Sequence, residues 1–200
     1  HNGYGIKADL SSNIIISHND IINNSLSVAI VNSSNISLLG NNITENNLGI
    51  YLHYFSSYNN IVGNNIARND YGILINLSSN NSIYHNNFVN NTYQVYPGGS
   101  VNTWDDGYPS GGNFWSHYTD IDLYCGPNQD VPGSDGVWDH PYVMDANNKD
   151  KFPLVKSYVL GSLAVSIYTD KTIYHVGDTM HLGLNVSNPD SVKHLCFTVW

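Results

Sequence analysis

A repeat of about 22 residues runs through the first half of this chain and limits its fold more than any other feature. Setting Tyr4–Ser25 above Leu26–Asn47, Leu48–Asp70 and Tyr71–Thr92 gives segments of 22, 22, 23 and 22 residues. One apolar column then reads Ile6, Val28, Ile50 and Ile73, and continues at Val95. Two residues further on, Ala8, Ile30, Leu52 and Ile75 form a second. Ile16, Leu38, Ile61 and Ile83 make a third, and Ile21, Ile43, Ile66 and Phe88 a fourth. Asparagine fills a further column at Asn19, Asn41, Asn64 and Asn86. A unit this short cannot bury a core alone, so successive units must stack and share one.

The period inside each unit identifies the architecture. Ile6 and Ala8, Ile50 and Leu52, and Ile73 and Ile75 alternate with outward neighbours, a period of two. Helical repeats need longer segments of period 3.6, and Asn-rich, Ile-rich runs are poor helix formers. The L-x-x-L-x-L frame of leucine-rich repeats is missing. Short β-branched runs broken by Asn, Ser and Gly suit a β-solenoid, in which like residues stack at ~4.8 Å from coil to coil. The expected fold is all-β: a right-handed parallel β-helix with coils of about 22 residues. The asparagine ladder is expected at turns, on left-handed backbone, each amide bonding to the next coil.

Composition divides the chain into three. Of 30 asparagines, 23 precede residue 93, and no proline occurs before Pro97. Residues 1–92 hold four acids, and residues 93–160 hold nine. The expected domains are therefore 1–96, the coils; 97–160, an aromatic and Asp-rich cap; and 162–200, the first strands of a β-sandwich. His1-Asn2-Gly3 before Tyr4 matches Arg68-Asn69-Asp70 before Tyr71, which is read as the tail of an earlier coil, and the sandwich as cut at its third strand.

The net charge of -9 excludes a nucleic-acid partner, which requires clustered Lys and Arg. No apolar run approaches the ~20 residues of a membrane span. Cys125 and Cys196 fall in different modules and give neither a disulfide framework nor metal-ligand spacing.

Tyr71-Gly72-Ile73, Ser79-Asn80-Asn81-Ser82 and His85-Asn86-Asn87-Phe88, with their equivalents in the other coils, resemble the β-helix repeats of the NosD-like family. The run from Asn102-Thr103-Trp104-Asp105 through Asn113-Phe114-Trp115-Ser116 to Tyr118 resembles the segment that follows the β-helix in archaeal NosD-like cell-surface proteins. Gly133-Ser134-Asp135-Gly136 to Asp145 and Asn148-Lys149-Asp150 to Leu154 extend that likeness. Tyr174-x-x-Gly177-Asp178 between alternating runs looks like the opening of an immunoglobulin-like or macroglobulin-like sandwich. The resemblance implies an exported protein at the cell surface, and a helix of the type used in carbohydrate binding and sugar hydrolysis.

A solenoid end exposes raw core, and Trp104, Trp115, Tyr108, Tyr118, Tyr142 and Phe152 are the residues expected to cover it. Asp120, Asp122, Asp130, Asp135 and Asp139 form the candidate Ca²⁺ loop, although no EF-hand frame is present. Tyr51, Tyr54, Tyr58 and Tyr84 are the candidate carbohydrate contacts, since flat β-helix faces rich in Asn, Ser and Tyr can bond to and stack on sugars. No catalytic residue is assigned: Glu45 has no carboxylate in its own coil, and Asp70 pairs with Arg68 in a turn. Copper, which the family name suggests, is disfavoured. His18 and His85 share a column with Gly40 and Gly63 between them, and Met180-His181 with His175 sits in another module. The reading is a non-catalytic surface stalk whose partner is a polysaccharide or cell-surface glycan. The runner-up is a polysaccharide lyase or hydrolase whose active site lies in upstream coils.

Overall fold

The computed structural model describes residues 2–160, 164–169 and 182–187. The chain divides into two compact units, one running to Tyr158 and the other covering Val159–Val192.

The first unit is a parallel β-helix. Its first coil contributes β1 (Asn2–Asp9), β2 (Ile15–Ser17) and β3 (Asp20–Ile22), and its second β4 (Asn24–Val31), β5 (Ser37–Leu39) and β6 (Asn42–Thr44). The third supplies β7 (Leu48–His53), β8 (Asn60–Val62) and β9 (Asn65–Ala67), and the fourth β10 (Tyr71–Asn76), β11 (Ser82–Tyr84) and β12 (Asn87–Val89). A looser fifth coil follows, with β13 (Tyr93–Tyr96) and β14 (Phe114–Trp115). Three parallel sheets result, ordered β1-β4-β7-β10-β13, β11-β8-β5-β2 and β14-β12-β9-β6-β3.

The register is that of the sequence columns. Ile6 pairs with Val28, Val28 with Ile50, Ile50 with Ile73 and Ile73 with Val95. Ile16, Leu38, Ile61 and Ile83 align in the second sheet, and Ile21, Ile43, Ile66 and Phe88 in the third. These side chains form one continuous buried core. Each buried Ile or Leu contributes roughly 1.5–3 kcal/mol of transfer free energy, and only because its neighbours in the coils above and below cover it.

The corners use left-handed backbone, one residue before the ladder asparagine. His18, Gly40, Gly63 and His85 have φ of 55°, 61°, 68° and 56°, each immediately preceding Asn19, Asn41, Asn64 or Asn86. Asn23, Glu45, Arg68 and Asn90 do the same at a second corner, with φ of 58°, 59°, 54° and 52°. The ladder asparagines themselves are not left-handed, which corrects the sequence expectation. Their requirement is the amide.

That amide joins the coils. Asn19 Nδ2 donates to Asn41 Oδ1 at 3.0 Å, Asn41 to Asn64 at 3.0 Å, Asn64 to Asn86 at 2.9 Å and Asn86 to Asn113 at 3.1 Å. Each acceptor oxygen also takes the main-chain N–H of the preceding rung. A second ladder links Asn24, Asn46, Asn69 and Asn91, and a third Asn59, Asn81 and Asn102. Serine hydroxyls of Ser33, Ser56, Ser78 and Ser100 accept main-chain N–H groups along a fourth corner. A buried amide left unpaired costs about 1–3 kcal/mol, and the ladders avoid that cost at every coil. Gly72 fits the same design: a Cβ there would lie 2.5 Å from the Gln94 carbonyl and 3.1 Å from Asn91 Nδ2.

The cap continues the solenoid before it closes it. Thr103 bridges Ser82, and Trp115 pairs with Phe88, so the coil pattern runs past residue 96. Two short hairpins follow, β15 (Tyr124–Cys125) with β16 (Val131–Pro132) and β17 (Tyr142–Val143) with β18 (Lys149–Asp150). Trp104 and Trp115 are buried over the aliphatic core. The Trp115 ring stacks on Phe88 at 4.3 Å and on Tyr142 at 4.3 Å, an aromatic column ending the core. Cys125 is buried and disulfide-bonded, its partner lying outside the described residues, where the sequence suggested no disulfide framework.

In the second unit the described residues are two antiparallel strands, β19 (Ala164–Thr169) and β20 (Leu182–Ser187). The expected immunoglobulin-like module falls otherwise outside the described residues.

Candidate functional site

The outer face of the first sheet carries rows of apolar and aromatic side chains, exposed at Tyr4, Tyr93 and Tyr96 and half-buried or buried between them. Alternation along β7 and β10 turns Leu48, Tyr51 and His53, and Tyr71 and Leu74, outward. Register then lines up Tyr4, Leu26, Leu48, Tyr71 and Tyr93 in one outer row, and Lys7, Ala29, Tyr51, Leu74 and Tyr96 in the next. At the adjoining turns Leu10, Phe55 and Tyr58 are 78%, 73% and 67% exposed. Leu10, Phe55 and Tyr58 all sit on left-handed backbone.

Of the carbohydrate-contact candidates, the structure brings two together. Tyr51 stacks on His53 at 4.9 Å and His53 leans on Tyr54 at 3.7 Å, a three-ring cluster at the edge of the first sheet. His53 Nδ1 is buried there without a hydrogen bond among the described residues. Tyr58 stands alone and exposed on the following turn. Tyr84 lies on β11, in another sheet, half-buried with its ring edge-on to His85 at 5.2 Å. Burial raises the hydroxyl pKa of both Tyr51 and Tyr84, so each stays protonated and able to donate.

Four of the five candidate calcium ligands bond to the chain. Asp122 accepts from Ser134 Oγ and the Asp135 and Gly136 amides at 2.7, 3.0 and 3.2 Å. Asp139 accepts the Leu123 and Tyr124 amides, and Asp135 accepts the Val137 amide and Gln129 Nε2. Asp120 bonds the His140 ring at 2.7 Å. Burial opposes ionisation of Asp120, but the Ile121 amide and His140 outweigh it and hold the carboxyl below its usual range. Asp130 is exposed. Among the described residues no group of three His, Cys, Asp or Glu side chains is placed to hold a metal.

Sequence reasoning missed where the ladders end. Asn148 Oδ1 accepts the Asn102 amide at 3.1 Å and the Trp104 indole N–H at 3.0 Å. Asp150, fully buried, accepts the Asn113 amide at 2.7 Å, the Trp115 indole N–H at 2.9 Å and the Phe152 amide at 3.2 Å. Burial pushes its carboxyl up to about 7 in spite of those donors. Gly112 is required beside it, since a Cβ there would collide with the Asp150 carboxylate. The available signal was Asn148-Lys149-Asp150 itself, two ladder-type side chains with strand alternation just past the coils.

Stacked parallel sheets, amide ladders and an aromatic plug define a capped parallel β-helix. Residues 1–120 match the family model described as "Periplasmic copper-binding protein (NosD)", and the chain belongs to that family. No curated protein and no solved structure matches the chain. The described residues do not fit a copper centre. His18 and His85 sit at corners of the first and fourth coils, and Cys125 is in a disulfide. His175, Met180 and His181 lie outside the described residues. No helix among the described residues is long and apolar enough to cross a membrane.

Proposed function

We propose that this chain is an exported, non-catalytic β-helix stalk whose first-sheet face contacts a polysaccharide or cell-surface glycan. The observation that carries the reading is the pair of outer rows of Tyr and Leu with the Tyr51–His53–Tyr54 cluster and exposed Tyr58 at their edge. Rings held by a rigid sheet lose little entropy on contact, and their hydroxyls can bond to sugar hydroxyls while the carbon skeleton packs on the ring. The family's periplasmic description supports export. The outer rows repeat at the coil spacing, so an extended polymer is matched better than a compact ligand.

The test is a polysaccharide and glycan array probed with the full chain, soluble products being assayed in the same wells. Binding without product release is expected, with at least a tenfold loss in a Tyr54→Ala/Tyr58→Ala variant. Product release would overturn the non-catalytic part. Binding that is indifferent to both tyrosines would remove the face.

A further inference from the structure

The cap carries a second surface feature of different chemistry. Between the fifth coil and β18 lies a cleft of about 200 Å³ lined by Thr103, Trp104, Asp105, Asn147, Lys149 and Lys151. Lys149, on β18, and Lys151, just past its end, are both exposed and both line the cleft, while Asp150 between them is buried. The cleft thus takes two lysines from a segment that Asn148 and Asp150 anchor inside the cap.

In a chain of net charge -9, Lys7 pairs with Asp9 at 2.6 Å and Arg68 with Glu45 at 3.0 Å, not with Asp70 as the sequence suggested, while Lys156 has no ion pair within 4.0 Å among the described residues. Lys149 and Lys151 have no ion pair within 4.0 Å among the described residues. Asp105 is the acid in the cleft. Its oxygens accept the Gly107 and Lys151 main-chain amides at 3.1 and 3.2 Å, and each carboxylate oxygen keeps a lone pair for one more donor. The cleft therefore offers two cationic donors, a carboxylate acceptor and the polar side chains of Asn147 and Thr103. An inorganic anion uses only the lysines. A ligand with one carboxylate and several hydroxyls uses all of them. The volume, about 200 Å³, is below the ~300–1,000 Å³ of drug-sized sites, and is of a size to take about one sugar ring.

We propose that this cleft binds a single hexuronate unit, its carboxylate on Lys149 and Lys151 and its hydroxyls on Asp105, Asn147 and Thr103. The site is separate from the tyrosine face and does not need it, although both would serve one acidic glycan.

Titration calorimetry of the full chain at low salt with glucuronate, glucose and inorganic sulfate tests it. Glucuronate should bind at least tenfold more tightly than glucose. Lys149→Gln/Lys151→Gln should lose at least tenfold for glucuronate with an unchanged melting temperature, both side chains being exposed. Asp105→Asn should weaken glucuronate but leave sulfate unaffected. Equal binding of glucuronate and glucose, no binding, or full affinity in the lysine variant would overturn the site. Sulfate as tight as glucuronate, with Asp105→Asn inert, would reduce it to a simple anion site and overturn the sugar. The glycan array separates this failure from that of the tyrosine face, because the lysine variant keeps neutral-glycan binding and the tyrosine variant does not.

Discussion

Two donors, the Asn113 amide and the Trp115 indole, converge on one oxygen of Asp150 inside the cap. Burial pushes that carboxyl from 3.8 to about 7. The folded chain then holds this proton more tightly than the unfolded chain, so its contribution is full below pH 3.8 and is lost as pH rises through about 7. His117, whose pKa burial lowers, has the opposite sign: its contribution is lost as pH falls. A denaturation series over about pH 4 to 8 on the parent and Asp150→Asn isolates the carboxyl. The parent should lose stability relative to the variant across that window, by an amount on the order of a few kcal/mol. Parallel profiles would mean that Asp150 is ionised throughout. Asp150 also shows what sequence reading reaches. Asn19, Asn41, Asn64 and Asn86 were legible because one residue type recurs at one spacing. Asp150 and Asn148 were not, because they bond to Asn113 and Asn102 across 37 and 46 residues, outside any period.

Within a coil the ladder amide and the aliphatic column stabilise the same strands by different means. Asn64 Oδ1 accepts from the Asn41 amide and Nδ2, and its own Nδ2 donates to Asn86 and to the Leu38 carbonyl. Asn64→Ala strands those partners in the core and should cost about 2–5 kcal/mol by denaturant titration. Asn19→Ala, at the exposed first rung, should cost less than about 1 kcal/mol. Equal losses would deny the ladder its role. The four aliphatic columns were legible element by element, since strand register copies sequence register. The corners were less so: a left-handed position accepts His18, Gly40, Arg68 or Tyr58 alike, so its residue type carries little signal. The acidic loop belongs to this scale as well. Asp122, Asp135 and Asp139 accept chain N–H groups, and each oxygen of Asp135 and Asp139, taking one donor, keeps a lone pair that Ca²⁺ could use. A calcium loop predicts a melting temperature several degrees higher in calcium than in chelator, and identical melts would remove it.

Across the whole first unit, stability passes between neighbouring coils, as in any stack whose repeats contact only the next. The cap closes this series with Trp115 on Phe88, and with Asn148 and Asp150 at the ends of two ladders. Solenoid and plug were foreseeable because an exposed aliphatic end demands aromatic cover. The second unit was expected to open a β-sandwich, and the described residues give one antiparallel strand pair of it. Trp115→Ala removes the stack and leaves a cavity, a loss of roughly 3–5 kcal/mol for a buried tryptophan. In a nearest-neighbour stack that loss is felt first where the cover is missing. Hydrogen exchange followed by mass spectrometry should therefore show protection falling most in β10–β12, less in β7–β9 and least in β4–β6. A uniform drop through all coils would instead mean that the solenoid opens as one cooperative body, with the cap acting on the whole stack at once.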